Sequence, residues 1–298
     1  MSSPVDGTLE STQPTSVWLR LPAQPENIAL ARQVLAGLAE GLEIDDELLA
    51  DINIAVTEAC NNIVIHAYPE GDGTAEVTIT SALDQLVISV RDEGAGMNPL
   101  PAGTGLDPSA RLGFGFAMMS SLSDQFGINS GAGGTEVRMR FALHGNPAPD
   151  AEDLFDTAGL IDAGHAPPGD IVLALTAGAP AAAVLGRFIS LLAARANLSI
   201  DRMSDLQLVS DALALHAPRR ALNDRVHVSA ADHESGFDLR VGPLQAGGSD
   251  AIVADATLAG VGSLLHLLSD DVASEPVSGG APGAEVLRLG LTRAPPQP

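Results

Sequence analysis

Residues 56–67 read "VTEACNNIVIHA", and the reading of this stretch decides the fold. Val56, Ala59 and Ile63, with Ile52 before them, recur at helical spacing and mark a core-facing stripe. Glu58, Asn61 and Asn62 lie three and four residues apart on the opposite face. A side-chain carboxamide oxygen is a hard neutral ligand that suits magnesium, which takes one or two protein oxygens beside phosphates and water. A carboxylate one turn away can orient a water or accept a hydroxyl proton. Taken alone, Glu and Asn on a helix are more often simply solvated, and His66 reads slightly better as a satisfied structural histidine than as a pocket residue.

Working outward, residues 17–22 read as a strand and 26–42 as an amphipathic helix. The helix holding the opening stretch spans 45–67, capped by Asp45 or Asp46. Runs 75–80 and 85–92 form a hairpin, followed by a glycine-rich loop over 93–113, a helix over 116–126 and a strand over 134–143. Three glycine motifs punctuate this half. In "VRDEGAGM" (90–97), Asp92 ends an apolar strand, and Gly94 and Gly96 follow at DxGxG spacing. Such glycines permit positive φ and close backbone approach to a ligand, and the aspartate can accept a hydrogen bond from an exocyclic amine. In "ARLGFGFAMM" (110–119), Gly113 and Gly115 precede a helix, so backbone amides there can hold an anion without a lysine, with Arg111 adding charge. In "GAGGTEVRMRF" (131–141), Gly133, Gly134 and Thr135 precede the last strand. Each motif on its own also fits an ordinary turn.

Composition bounds the chemistry. The 298 residues suit two domains, and 45% hydrophobic content supports packed cores. A formal charge of -23 argues against nucleic-acid binding and favours solubility, while permitting a basic partner. All fifteen basic residues are arginine, which excludes a lysine-dependent phosphate loop, the lysine-bearing kinase fold of eukaryotic type and Schiff-base catalysis. The single cysteine, Cys60, excludes an internal disulfide or a cysteine-cluster metal site. Residues 1–16 read as a flexible tail without a signal peptide, and the longest uncharged apolar run, 171–186, is short for a membrane span and broken by Gly178 and Pro180. A soluble, cytoplasmic protein is expected.

The second half replays the plan. "DIVLALTA" (170–177) answers the opening strand, "VSDALALHA" (209–217) answers the opening stretch, and "GAPGAEVLRLGL" answers "GAGGTEVRMRFA". Six elements in the same order at similar spacing point to an internal duplication.

The order Glu-x-x-Asn-Asn-x-x-x-His on a helix, strand-DxGxG, GxGF-helix and GGT-strand resembles the GHKL ATP-binding fold, also called HATPase_c. Within it, residues 17–143 are most similar to the anti-sigma factors with serine-protein kinase activity, the RsbW and SpoIIAB type. The resemblance implies an α/β fold of two tandem Bergerat-type sandwiches, each a mixed, mostly antiparallel sheet with helices on one face. It divides the chain into a tail (1–16), an ATP-binding domain (17–145), a linker (146–169) and a degenerate ATPase-like domain without a nucleotide site (170–294). It implies Asn62 as magnesium ligand, Glu58 as the group that activates the attacking hydroxyl and Asp92 as acceptor of the adenine amino group. Asn61, Gly94, Gly96 and Met97 would line the nucleotide site from the first two boxes. Arg111, Gly113, Phe114, Gly115 and Phe116 would line it from the phosphate side, and Thr135 would lie near the adenine. In the second copy Ala214 and Leu215 stand for the asparagines, Pro243 for Asp92, Gln245 for Gly94 and Ala284 for Thr135.

The expected function is then an ATP- and magnesium-dependent serine-protein kinase and anti-sigma-type regulator of a partner-switching pathway. Its partners would be a STAS-type antagonist phosphorylated on serine and a sigma factor, with no nucleic acid or membrane, in a homodimer or an intramolecular pseudo-dimer. The alternative is a nucleotide-responsive module that sequesters a partner without phosphotransfer. A sensor histidine kinase ranks last, because no phosphoacceptor helix pair precedes residue 17.

Overall fold

A computed structural model of the chain describes residues 15–69, 72–82, 84–96, 114–143, 169–176, 178, 180–196, 198–222, 225–258, 262–277 and 281–292. The first half runs β1 (Thr15–Pro22), α1 (Ile28–Gly41), α2 (Asp46–Asn62), β2 (Thr74–Ala82), β3 (Gln85–Asp92), α3 (Phe114–Leu122), β4 (Gln125–Gly131) and β5 (Gly134–Ala142). The second runs β6 (Ile171–Thr176), α4 (Ala181–Arg195), α5 (Ile200–His216), β7 (Arg225–His233), β8 (Gly236–Leu244), α6 (Gly248–Asp255), β9 (Thr257–Leu258), β10 (Gly262–Ser263), α7 (Leu264–Leu268), β11 (Asp271–Pro276) and β12 (Glu285–Thr292).

Four expectations shift. Thr15 and Ser16 already belong to β1, because their backbone pairs with Ser81 and Thr80. The helix expected over 116–126 is Phe114–Leu122, and a strand follows it. Gly127 and Gly131 mute the strand signal of "QFGINSG", and pairing with β5 (Phe126 opposite Met139, Ile128 opposite Val137) supplies what local propensity lacks. Helix α6 was not expected. The linker 146–169 lies outside the described residues apart from Gly169.

Ten strands form one sheet in the order β11-β12-β8-β7-β6-β1-β2-β3-β5-β4. Every strand pair among the described residues is antiparallel, in keeping with the mostly antiparallel sheet expected. The order is symmetric about the β1–β6 pair, where Val17 faces Leu175 and Leu19 faces Leu173. That pairing satisfies two edges that would otherwise expose unpaired backbone.

Alternation along the strands sends Leu19, Val77, Ile79, Ile88, Met139, Leu239 and Leu289 into one core with the helices. Trp18 points to the other face and packs across the junction on Val172 and Ala174. On the helix side α1 lies against α4 so closely that a Cβ on Gly37 would come within 2.7 Å of the Val184 backbone. Arg195 Nη1 donates to Asn27 Oδ1 (2.6 Å), and Asn27 Nδ2 donates to the Pro22 carbonyl (2.7 Å), tying the buried Asn27 to both halves.

Candidate functional site

Helix α2 opens as its sequence dictates. Asp45 Oδ1 accepts from Leu48 N (2.8 Å), and Asp46 and Glu47 fill the first turn, where the helix dipole favours acids. Ile52, Ala55, Val56, Ala59, Cys60 and Ile63 are buried against the sheet, so Glu58, Asn61 and Asn62 are turned to the other side. Burial pushes the Cys60 thiol up to about 12, which suits a core residue and removes it from chemistry. Beyond Asn62 the helix widens into a π-turn, Ile63–Ala67, a feature that often marks functional positions. Counted through that turn, Asp46–Ala67 is long and apolar enough by length and composition to cross a membrane. Here it packs its apolar stripe on the sheet.

Helix α3 begins directly above Glu58 and Asn62. A Cβ on Gly115 would lie 3.0 Å from Glu58 Oε2 and about 4 Å from the Asn62 carboxamide. Asn62 Nδ2 is buried and has no hydrogen-bond partner among the described residues. A buried amide left unpaired costs about 1–3 kcal/mol. Both ends of the amide face the same space, Nδ2 at 3.9 Å and Oδ1 at 4.0 Å from that Cβ position.

Asp92 lies at the end of β3 and is 4% exposed. Its Oδ1 accepts from Gly94 N (2.8 Å) and from Thr135 N (3.2 Å), and among the described residues its Oδ2 makes no hydrogen bond. Thr135 Oγ1 shares a hydrogen bond with Ser130 Oγ (2.9 Å). Gly94 is required by close approach: a Cβ there would meet the Ala67 carbonyl at 2.2 Å. Gly96 adopts φ +69, in the left-handed region.

The structure therefore brings Glu58, Asn62 and Gly115 together, and separately Asp92, Gly94 and Thr135. Asn61 is half-buried on the α2 surface, Phe114 is exposed (82%), and Phe116 packs edge-on against Phe126 with ring centroids 6.4 Å apart. Met97, Arg111 and Gly113 lie outside the described residues. His66 is exposed and makes no hydrogen bond among the described residues, so it is not a satisfied core histidine. Sequence reasoning missed Tyr68, whose hydroxyl accepts from Glu93 N (3.0 Å), and the Ala67 carbonyl, which accepts from Ala95 N (3.1 Å). A lone tyrosine directly after the helix was the available signal. Among the described residues no cluster of three or more His, Cys, Asp or Glu could hold a metal by itself.

Residues 21–141 match the histidine kinase-like ATPase domain. Over 135 residues the chain is 31% identical to the serine-protein kinase RsbW of Bacillus pumilus, a match covering 41% of this chain and 83% of that protein. It is 35% identical over 135 residues to the anti-sigma F factor of Clostridium acetobutylicum, covering 42% of this chain and 93% of that one. Among solved structures, the RsbU and RsbW domains of a Mycobacterium tuberculosis protein align at 24% identity and a TM-score of 0.33, over 43% of this chain and 32% of that one. With curated relatives matched over most of their own length, the chain belongs to the histidine kinase-like ATPase family, in the branch of the RsbW-type serine-protein kinases and anti-sigma F factors.

Proposed function

We propose that this protein is an ATP- and magnesium-dependent serine-protein kinase that acts as an anti-sigma-type regulator, with a STAS-type antagonist as the phosphorylated partner. The observation that carries the proposal is the placement of Glu58 and the unpaired Asn62 amide on one helix face under Gly115. Pure nucleotide binding needs no carboxylate at that point. Asn62 is the residue that would hold magnesium, with phosphates and water supplying the other oxygens, and the donor set fits because one or two protein groups suffice. When bound, the metal neutralises phosphate charge. Asp92 would receive the adenine amino group on its open Oδ2. Glu58 would take the proton of the partner's serine hydroxyl as that oxygen attacks. Positioning and charge neutralisation supply most of the rate in phosphoryl transfer.

The second half we read as a degenerate copy without a nucleotide site, standing where a second subunit would pair. The mirrored strand order about β1–β6 and the α1–α4 packing support that reading, since equivalent elements of both halves meet, as in an isologous dimer.

A phosphotransfer assay with magnesium, labelled ATP and a STAS protein tests the function. Wild type is expected to label serine, Glu58→Gln to bind ATP without labelling, and Asn62→Ala to lose magnesium-dependent binding. ATP binding with no labelling by wild type would instead favour sequestration without phosphotransfer.

A further inference from the structure

We infer that Tyr68 is a positioning residue for base recognition, its hydroxyl holding the loop that aims Asp92. The inference rests on the function proposed above and assigns part of its nucleotide selectivity to a residue outside the motif boxes. Tyr68 is the chain's only tyrosine and follows the π-turn that ends the Asn62 helix. Its Oη donates to the Thr74 carbonyl (2.7 Å) and accepts from Glu93 N (3.0 Å), which occupies the phenol's donor and one acceptor. The ring lies flat on Gly73, where a Cβ would fall 2.2 Å from its Cε1 and Cζ atoms.

Three consecutive amides after Asp92 are held in this way. Glu93 N donates to Tyr68 Oη, Gly94 N to Asp92 Oδ1 and Ala95 N to the Ala67 carbonyl. Two of the three acceptors come from residues 67 and 68. The end of the Asn62 helix and the Asp92 loop are thereby fixed to each other, so the metal side and the base side of the site share one frame. Asp92 reads the base because adenine offers an amino donor where guanine offers a carbonyl acceptor. Releasing Glu93 N lets the backbone beside Asp92 drift and blunts that distinction, while Glu58 and Asn62 on α2 keep their places.

The test compares magnesium-ATP and magnesium-GTP binding to the full chain by calorimetry, for wild type and Tyr68→Phe. Tyr68→Phe keeps the ring on Gly73 and loses the two hydrogen bonds. ATP affinity is expected to fall about 3- to 10-fold. GTP affinity should change less, so the ATP:GTP preference narrows. In phosphotransfer the loss should appear in KM for ATP and leave kcat within about twofold. Gly73→Ala, which displaces the ring, should narrow the preference in the same direction. An unchanged preference in a wild-type background that selects ATP overturns the role of Tyr68 and leaves the proposed function standing. Parallel loss of ATP and GTP binding with a lowered melting temperature also overturns it, since that is the mark of a merely structural residue. A wild type that binds ATP and GTP equally overturns this inference and leaves the function to the phosphotransfer assay, whereas a wild type that binds neither nucleotide removes both.

Discussion

Helices α2 and α5 are each 17 residues long and open on the same device, a side-chain oxygen accepting from the third amide on: Asp45 from Leu48 N, Ser199 from Arg202 N. They part company at the face turned from the sheet. Helix α2 presents Glu58, Asn61 and Asn62; α5 presents Leu208 and Leu215, 49% and 56% exposed. The position of Asp92 differs in the same sense: Pro243 stands there in the second half, and the carboxylate near it is Glu285, which follows Ala284 as Glu136 follows Thr135. Among the described residues Asp92 takes two hydrogen bonds, both on one oxygen. Glu285, on β12 beside the end of β8, spends both oxygens on the protein, one on Ser249 N (2.6 Å) at the start of α6 and one on Ser274 Oγ (3.0 Å). Helix α6 itself follows β8 where the first half has the Gly94–Gly96 loop after β3. The two halves share element order and strand pairing, and they differ in carrying polar residues on α2 and at the end of β3 in the first, and exposed leucines and a hydrogen-bonded carboxylate in the second.

The strongest way to break this contrast is to exchange its polar groups. Glu58→Gln is expected to lower phosphotransfer kcat by about 10²- to 10⁴-fold with ATP affinity nearly unchanged. Leu215→Asn in the second half should leave nucleotide stoichiometry at one per chain, because a metal ligand without an acceptor for the base does not rebuild a site. Two nucleotides bound per wild-type chain would end the reading of the second half as closed.

Next in size, Asp92→Ala should weaken ATP binding about 10- to 100-fold, as removal of a charged hydrogen-bond partner does. Glu285→Ala should leave ATP affinity untouched and act on stability, since its partners are Ser249 and Ser274. Equal effects of the two substitutions on ATP binding, measured by calorimetry, would erase the distinction between an open and a closed carboxylate.

The junction between the halves gives a smaller effect. Gly37→Ala forces a methyl group into the Val184 backbone and should cost about 1–3 kcal/mol, seen as a lower denaturant midpoint. If the halves act as one cooperative body, both lose structure in the same transition; two separated transitions would show that the β1–β6 pair is a weak contact.

These contrasts also explain what could be read from residues alone. The apolar stripe of α2, the Asp92 turn and Gly115 in the first turn of α3 were legible because each is local: a helical period, a strand end, a backbone that must approach closely. The joined sheet was not, because β1 and β6 are apolar strands whose pairing depends on the partner strand rather than on their own pattern. Strand β4 was read as the end of a helix because Gly127 and Gly131 hide it and β5 creates it. His66 was misjudged and Tyr68 passed over for a related reason. Whether a polar side chain beyond a helix end is buried, bonded or free depends on what folds back onto it, and for Tyr68 that is a loop 25 residues further along the chain.

The smallest expected effect concerns a device both halves keep. After α3, Asp124 Oδ2 accepts from Ala142 N (2.6 Å) while Asp124 N donates to the Arg140 carbonyl (2.9 Å). After α7, Asp270 Oδ2 accepts from Thr292 N (2.8 Å) while Asp270 N donates to the Gly290 carbonyl (3.0 Å). The aspartate clips the last strand of each half to the turn before it, so this polar pair belongs to the frame and not to ATP chemistry. Among the described residues only Asp270 adds an ion pair, with Arg202 of α5. Burial works to raise the Asp270 pKa, and the Thr292 amide and hydroxyl together with Arg202 outweigh it, holding the carboxyl below its usual range. A depressed folded pKa means that the group stabilises the fold above the unfolded value, about 3.9, and that this contribution is lost as pH falls through the folded value. Asp270→Asn should therefore lower the melting temperature by about 1–3 °C at pH 7 and by progressively less below about pH 4. Asp124→Asn, which gives up a backbone hydrogen bond and no arginine, should lower it less at pH 7. A melting-temperature difference between wild type and Asp270→Asn that stays constant from pH 7 to pH 3 would show that the backbone bond alone supplies the effect, and that the two clips are equivalent in energy as well as in position.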